Sequence, residues 1–103
     1  MHKSITREEL KQLLLNQKDV FVIDVRSEDE YASGHIPFAT NIPVENVEAG
    51  DFVAKEGQIL VTACGRGGGR ARRAAAFLSE NSANEVYTLE GGSLGWLDHE
   101  ISS

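Results

Sequence analysis

One cysteine, Cys64, opens the run Cys64-Gly65-Arg66-Gly67-Gly68-Gly69-Arg70. An ionised cysteine is a strong nucleophile, and this one is followed within one short loop by four glycines and two arginines. Glycines let the chain turn tightly enough for successive backbone N–H groups to converge, and converging N–H groups bind anions. The apolar run Ile59-Leu60-Val61 precedes the loop, and Ala71, Ala74, Ala75 and Leu78 recur after it at i, i+3, i+4 and i+7, so the loop joins a strand to a helix. The dipole of that helix and the arginines favour thiolate over thiol at the start of the loop. The chemistry implied is a nucleophile at the edge of an anion site. Packing alone explains a lone cysteine or a glycine-rich turn taken separately, but it does not require cysteine, glycines and arginines together.

Composition limits the partners. The chain has 103 residues, 41% hydrophobic and 25% charged, which fits one globular domain, residues 1–103, with a single α/β core. No apolar run is long enough to cross a bilayer, and the segment Met1-His2-Lys3-Ser4-Ile5 lacks the apolar centre of a secretory signal, so a cytoplasmic location is expected. With one cysteine, no disulfide forms within the chain. The formal charge is −6, yet four of the ten basic residues, Arg66, Arg70, Arg72 and Arg73, fall between Cys64 and Ser79, a segment without an acid. An acidic body argues against nucleic acid or an anionic membrane as partner, while the local basic cluster suits a small anion. Arg72 and Arg73 themselves read as a solvated helix face.

The elements that must hold the loop follow from pattern. Thr6 and Glu9 form a capping box and Ile5 with Leu10 a hydrophobic staple, which predicts a helix over 7–16 with Leu10, Leu13 and Leu14 inward. The continuous apolar run Val20-Phe21-Val22-Ile23 has the pattern of a strand buried on both faces of a parallel sheet. Ser27 and Glu30 form a second capping box ahead of a short helix that ends by Gly34. Further strands are expected over 39–42, 59–63 and 85–89. A short helix is expected in 44–56, and a last helix carrying Leu94, Trp96 and Leu97 is expected with Ser93 as its N-cap. Trp96 reads as a core anchor, and Asp24 with Arg26 as an ion pair or loop anchors. His35 has two readings, a titrating catalytic base or a structural hydrogen-bonding group, and no neighbour in sequence completes a catalytic pair. Alternating strands and helices imply parallel strands with right-handed crossovers, whose ligands bind beyond the carboxyl ends of the strands, where Cys64 lies.

The segments Val22-Ile23-Asp24-Val25-Arg26, Glu30-Tyr31-Ala32-Ser33-Gly34-His35-Ile36-Pro37, Ala39-Thr40-Asn41-Ile42-Pro43, the Cys64 loop, and Leu89-Glu90-Gly91-Gly92 with Trp96 together resemble the rhodanese, or single-domain sulfurtransferase, family. The resemblance spans nearly the whole chain. It implies a three-layer sandwich with a central, mainly parallel sheet of about five strands flanked by helices. It also implies that Cys64 takes sulfane sulfur from thiosulfate or a persulfide donor, holds it as a persulfide and passes it to cyanide, an external thiol or a protein thiol. On that reading the N–H groups of Gly65 to Arg70 cradle the donor anion, Arg70 closes the loop and Arg66 holds the sulfonate end. No cofactor and no metal site is expected.

The loop departs from the usual sulfurtransferase pattern, which places four residues between cysteine and arginine where this chain has five. Five is the spacing of the rhodanese-related dual-specificity phosphatases and of similar arsenate reductases, so phosphoryl or arsenate chemistry at Cys64 is the second reading. Against it stand Ala63 where those phosphatases carry histidine, a loop with no group to protonate a poor leaving group, and no second thiol. A noncatalytic rhodanese-like binding or sulfur-relay module is the third reading.

Overall fold

A computed structural model describes residues 3–66 and 68–102. Ten elements alternate along the chain. They are β1 (Lys3–Ile5), α1 (Arg7–Leu15), β2 (Val20–Asp24), α2 (Glu28–Ala32), β3 (Thr40–Asn41), α3 (Val44–Glu48), β4 (Ile59–Ala63), α4 (Gly69–Asn81), β5 (Val86–Leu89) and α5 (Gly92–Ser102). The strands form one parallel sheet in the order β1-β5-β4-β2-β3. The apolar runs become the centre of the sheet. Strands β2 and β4 pair from Val20 with Ile59 to Asp24 with Ala63, so both end on the same edge, β2 two residues before Arg26 and β4 directly before Cys64.

Two cores, one on each face, explain why these strands are apolar throughout rather than alternating. On one face Ile23, Leu60 and Val86 pack with Val44 and Val47 of α3 and with Ala71, Ala74, Ala75 and Leu78 of α4. On the other, Val22, Val61 and Leu89 pack with Leu10 of α1 and Trp96 of α5. The architecture is therefore the α/β sandwich expected. The small side chains of α4 let its backbone lie close to β4, and Thr62 Oγ1 fastens the two by donating to Ala71 O at 2.8 Å.

Both capping boxes are present. Glu9 N–H and Glu30 N–H donate to Thr6 Oγ1 and Ser27 Oγ, and the Glu9 and Glu30 carboxylates accept from the cap N–H groups. Element ends differ from the expected ones by a residue or two, and two expectations need correction. Lys3–Ile5 is an edge strand, paired with Tyr87 to Leu89, where the pattern gave only the first half of a staple. Ser93 is not an N-cap but lies inside α5. The helix starts earlier because Gly91 and Gly92 take φ of 79° and 62°, a left-handed turn that side chains resist and glycine does not.

Candidate active site

Strand β4 delivers Cys64 to the carboxyl edge of the sheet, and the chain then turns into α4. Cys64 lies within the core on the α3/α4 face and is only 3% exposed. The residue nevertheless lines an open depression of about 560 Å³, together with Gly65, Arg66, Gly68, Gly69, Arg70 and Arg73. The backbone N–H of Gly68 donates to Cys64 Sγ at 3.0 Å. The nucleophile is thus a covered one, with the Gly68 N–H of its own loop lying over the sulfur. Gly67, also expected in the cradle, lies outside the described residues.

Gly68 is the N-cap of α4, and no side chain caps that helix. The first N–H to find an acceptor within it is that of Arg72, at 3.4 Å from Gly68 O. Gly69 and Arg70, the first residues of α4, line the depression, and their N–H groups have no intrahelical partner among the described residues, which with the helix dipole makes a mouth suited to an anion. Among the described loop glycines none has positive φ, and a Cβ added at Gly65, Gly68 or Gly69 would make at most ordinary van der Waals contact. A Cβ on Gly68 would stand 3.6 Å from Cys64 Sγ.

Both loop arginines carry carboxylate partners that the sequence did not reveal. Arg70 makes a two-pronged pair with Glu30 of α2, Nη1 to Oε1 at 2.8 Å and Nη2 to Oε2 at 3.1 Å. Hydrogen bonds from Arg70, then from the Ser27 backbone and side chain, lower the Glu30 carboxyl from its ordinary 4.5 to about 2. The same contact raises the Arg70 guanidinium above its usual range. Arg66 Nη1 donates to Asp98 Oδ2 of α5 at 2.7 Å, with both side chains more than half exposed. Arg73, expected on a solvated face, is exposed but lines the depression and pairs with Glu48 of α3 at 2.7 Å.

Beneath the loop lies a buried network that fixes its frame. The Asp24 carboxylate accepts from Arg26 Nε at 2.9 Å and Nη2 at 2.7 Å, and from Ser93 Oγ at 3.1 Å. Burial would favour neutral Arg26, but the Asp24 hydrogen bond outweighs it and raises the guanidinium's pKa. Ser93 N–H in turn donates to Cys64 O at 2.6 Å, and Leu94 N–H to Gly65 O at 2.8 Å. The left-handed turn at Gly91 and Gly92 is what brings these N–H groups to the loop. His35 takes its structural reading, with Nδ1 2.8 Å from Tyr31 O and its ring stacked on Tyr31, whose hydroxyl donates to Ala39 O at 2.6 Å.

Known proteins resemble this chain in sequence and fold. A "Sulfurtransferase" of Allochromatium vinosum is 31% identical over 98% of this chain and 94% of its own length. "Thiosulfate sulfurtransferase GlpE" of Shewanella oneidensis is 32% identical over 90% of this chain and 96% of its own. The solved structure of human single-domain sulfurtransferase TSTD1 superposes with a TM-score of 0.79 at 28% identity, over 92% of this chain and 95% of that one. The family model described as a rhodanese-like domain matches residues 6–99, and the chain belongs to the rhodanese-like domain family.

Proposed function

We propose that the protein is a rhodanese-type sulfurtransferase that carries sulfane sulfur as a persulfide on Cys64. The observation that carries this reading is the position of Cys64, which lines a depression together with Arg66, Arg70 and Arg73 at the N-terminus of α4, a helix end that no side chain caps. Thiosulfate or a related donor anion enters with its sulfonate end toward the free N–H groups and Arg66. The Arg66–Asp98 pair is exposed, so an incoming anion competes for the guanidinium at little cost. The Cys64 thiolate attacks the outer sulfur. One S–S bond forms, the donor S–S bond breaks, and sulfite leaves with its electron pair. Sulfite needs no proton to depart, which matches a loop without an acid.

Discharge reverses the roles of the sulfurs. Cyanide or a thiolate attacks the outer sulfur of the persulfide, and Cys64 leaves as thiolate. Since the chain has a single cysteine, the acceptor thiol belongs to another molecule. A reducing cytoplasm, rich in thiols, is the setting that suits such discharge. No helix among the described residues is long and apolar enough to cross a membrane.

The test is the intact mass of reduced protein after thiosulfate, followed by cyanide and assay for thiocyanate. A gain of one sulfur that cyanide removes, absent in Cys64→Ser, is expected. The cyanide step separates persulfide from sulfinic acid, which adds nearly the same mass and stays. No gain would overturn the reading and leave the five-residue spacing from Cys64 to Arg70 to be tried with aryl phosphates and arsenate.

A further inference from the structure

Arg66 stands in the walls of two depressions. One holds Cys64; the other, of about 290 Å³, lies beyond Arg66 and is lined by Lys3, Arg72, Glu90 and Gly91 among others. Three cations, Lys3, Arg66 and Arg72, thus surround one small hollow in a chain whose net charge is −6. Lys3 and Arg72 have no ion-pair partner among the described residues. The single carboxylate there, Glu90, accepts a hydrogen bond from Ser4 Oγ at 3.0 Å on β1. Gly91 leads directly into the turn whose Ser93 and Leu94 N–H groups hold the carbonyls of Cys64 and Gly65. The hollow and the loop therefore share structure on two sides.

We infer that this hollow is an acceptor subsite, which binds the carboxylates of a small thiol while its sulfur reaches the persulfide on Cys64. The inference rests on the sulfurtransferase reading. A donor as small as thiosulfate is accommodated by the loop alone and leaves the hollow empty. Its volume, that of about ten water molecules, holds the polar end of a larger molecule whose other end passes Arg66. Two cations without an ion-pair partner among the described residues select carboxylates over neutral or cationic groups. In the transfer, the acceptor thiolate forms a bond to the outer sulfur, the Cys64 Sγ–S bond breaks, and its electron pair remains on Cys64. A protonated persulfide carries its proton to the product, so charge and atoms balance without a further reactant.

The test has a binding arm and a transfer arm. Methylthiosuccinate, the unreactive S-methyl form of mercaptosuccinate, is titrated into ¹⁵N-labelled protein, with neutral 2-(methylthio)ethanol as control. Saturable amide shifts at Lys3, Arg72, Glu90 and Gly91 are expected with the dicarboxylate only, about tenfold weaker in Lys3→Ala/Arg72→Ala and tighter in Glu90→Gln. Absence of shifts there, or equal shifts with the neutral thioether, overturns the subsite. This arm needs no sulfur chemistry and so decides independently of Cys64. In the transfer arm, persulfide-loaded protein is discharged by mercaptosuccinate and by 2-mercaptoethanol. The preference for the dicarboxylate is expected to fall about tenfold in the double variant, and an unchanged preference overturns the acceptor role. Failure of Cys64 to load would instead sink the sulfurtransferase reading, and the acceptor role with it.

Discussion

At Cys64 the group that reaches the sulfur is backbone. The Gly68 N–H lies 3.0 Å from Sγ, and a Cβ added to Gly68 would lie 3.6 Å from the same atom. That is ordinary contact, so a methyl group fits the resting site, and φ of −137° at Gly68 suits any residue. The cost to folding is that of exchanging Gly for Ala at an N-cap, at most about 1 kcal/mol. A persulfide needs room for a second sulfur beside the first, and the methyl would take it. Gly68→Ala is therefore expected to melt within a few degrees of the parent yet load sulfur from thiosulfate at least about tenfold more slowly, a barrier increase of roughly 1.4 kcal/mol. Stopped loading assays beside thermal melts check this, and unchanged loading would mean that the second sulfur lies on another side of Sγ.

Among the elements, α2 and α5 hold the loop through contacts that periodicity does not encode. Strands β2 and β4 and helix α4 were legible because continuous apolar runs and an i, i+3, i+4 stripe are local signals. Strand β1 was not, since of Lys3, Ser4 and Ile5 only Ile5 is buried and the strand sits on an edge. Cys64, Arg66 and Arg70 were legible as a cluster, but their partners were not. Ser93 reads as a cap by residue type, whereas its hydroxyl serves Asp24, 69 positions away. Glu30 reads as half of a capping box, and it is, but it also holds Arg70, 40 positions on. That double duty has a pH signature. The Glu30 carboxyl is lowered from 4.5 to about 2, so its stabilising pairing is complete above 4.5 and is lost as pH falls toward 2. Both side chains are about 40% exposed, which limits the contribution to about 1 kcal/mol or less. The stability gap between parent and Glu30→Gln, measured by denaturant unfolding, is expected to be constant near neutrality, to shrink below 4.5 and to close near 2. A gap that persists in acid would assign the loss to the capping box instead of the ion pair.

Across the whole molecule, charge is divided between an acidic body and a basic mouth, and the two act over different distances. The chain measures 37 × 32 × 18 Å and carries −6. At about 0.01 M salt the screening length is roughly 30 Å, so an approaching donor dianion feels the entire net charge and is repelled. At about 0.1 M it is roughly 10 Å, and the donor feels only what lies near the depression. There Arg66, Arg70 and Arg73 point their paired guanidinium groups at exposed carboxylates, and Arg72 adds a cation without an ion-pair partner among the described residues. At about 1 M the screening length of roughly 3 Å removes this attraction as well. The second-order rate of Cys64 loading by thiosulfate is therefore expected to rise with salt up to about 0.1 M and to fall beyond it. Arg72→Ala should lower the maximum while leaving the low-salt rise, because that rise belongs to the acidic body. A monotonic fall from the lowest salt would show that the mouth governs approach at all distances, and a flat profile would remove the arginines from donor capture altogether.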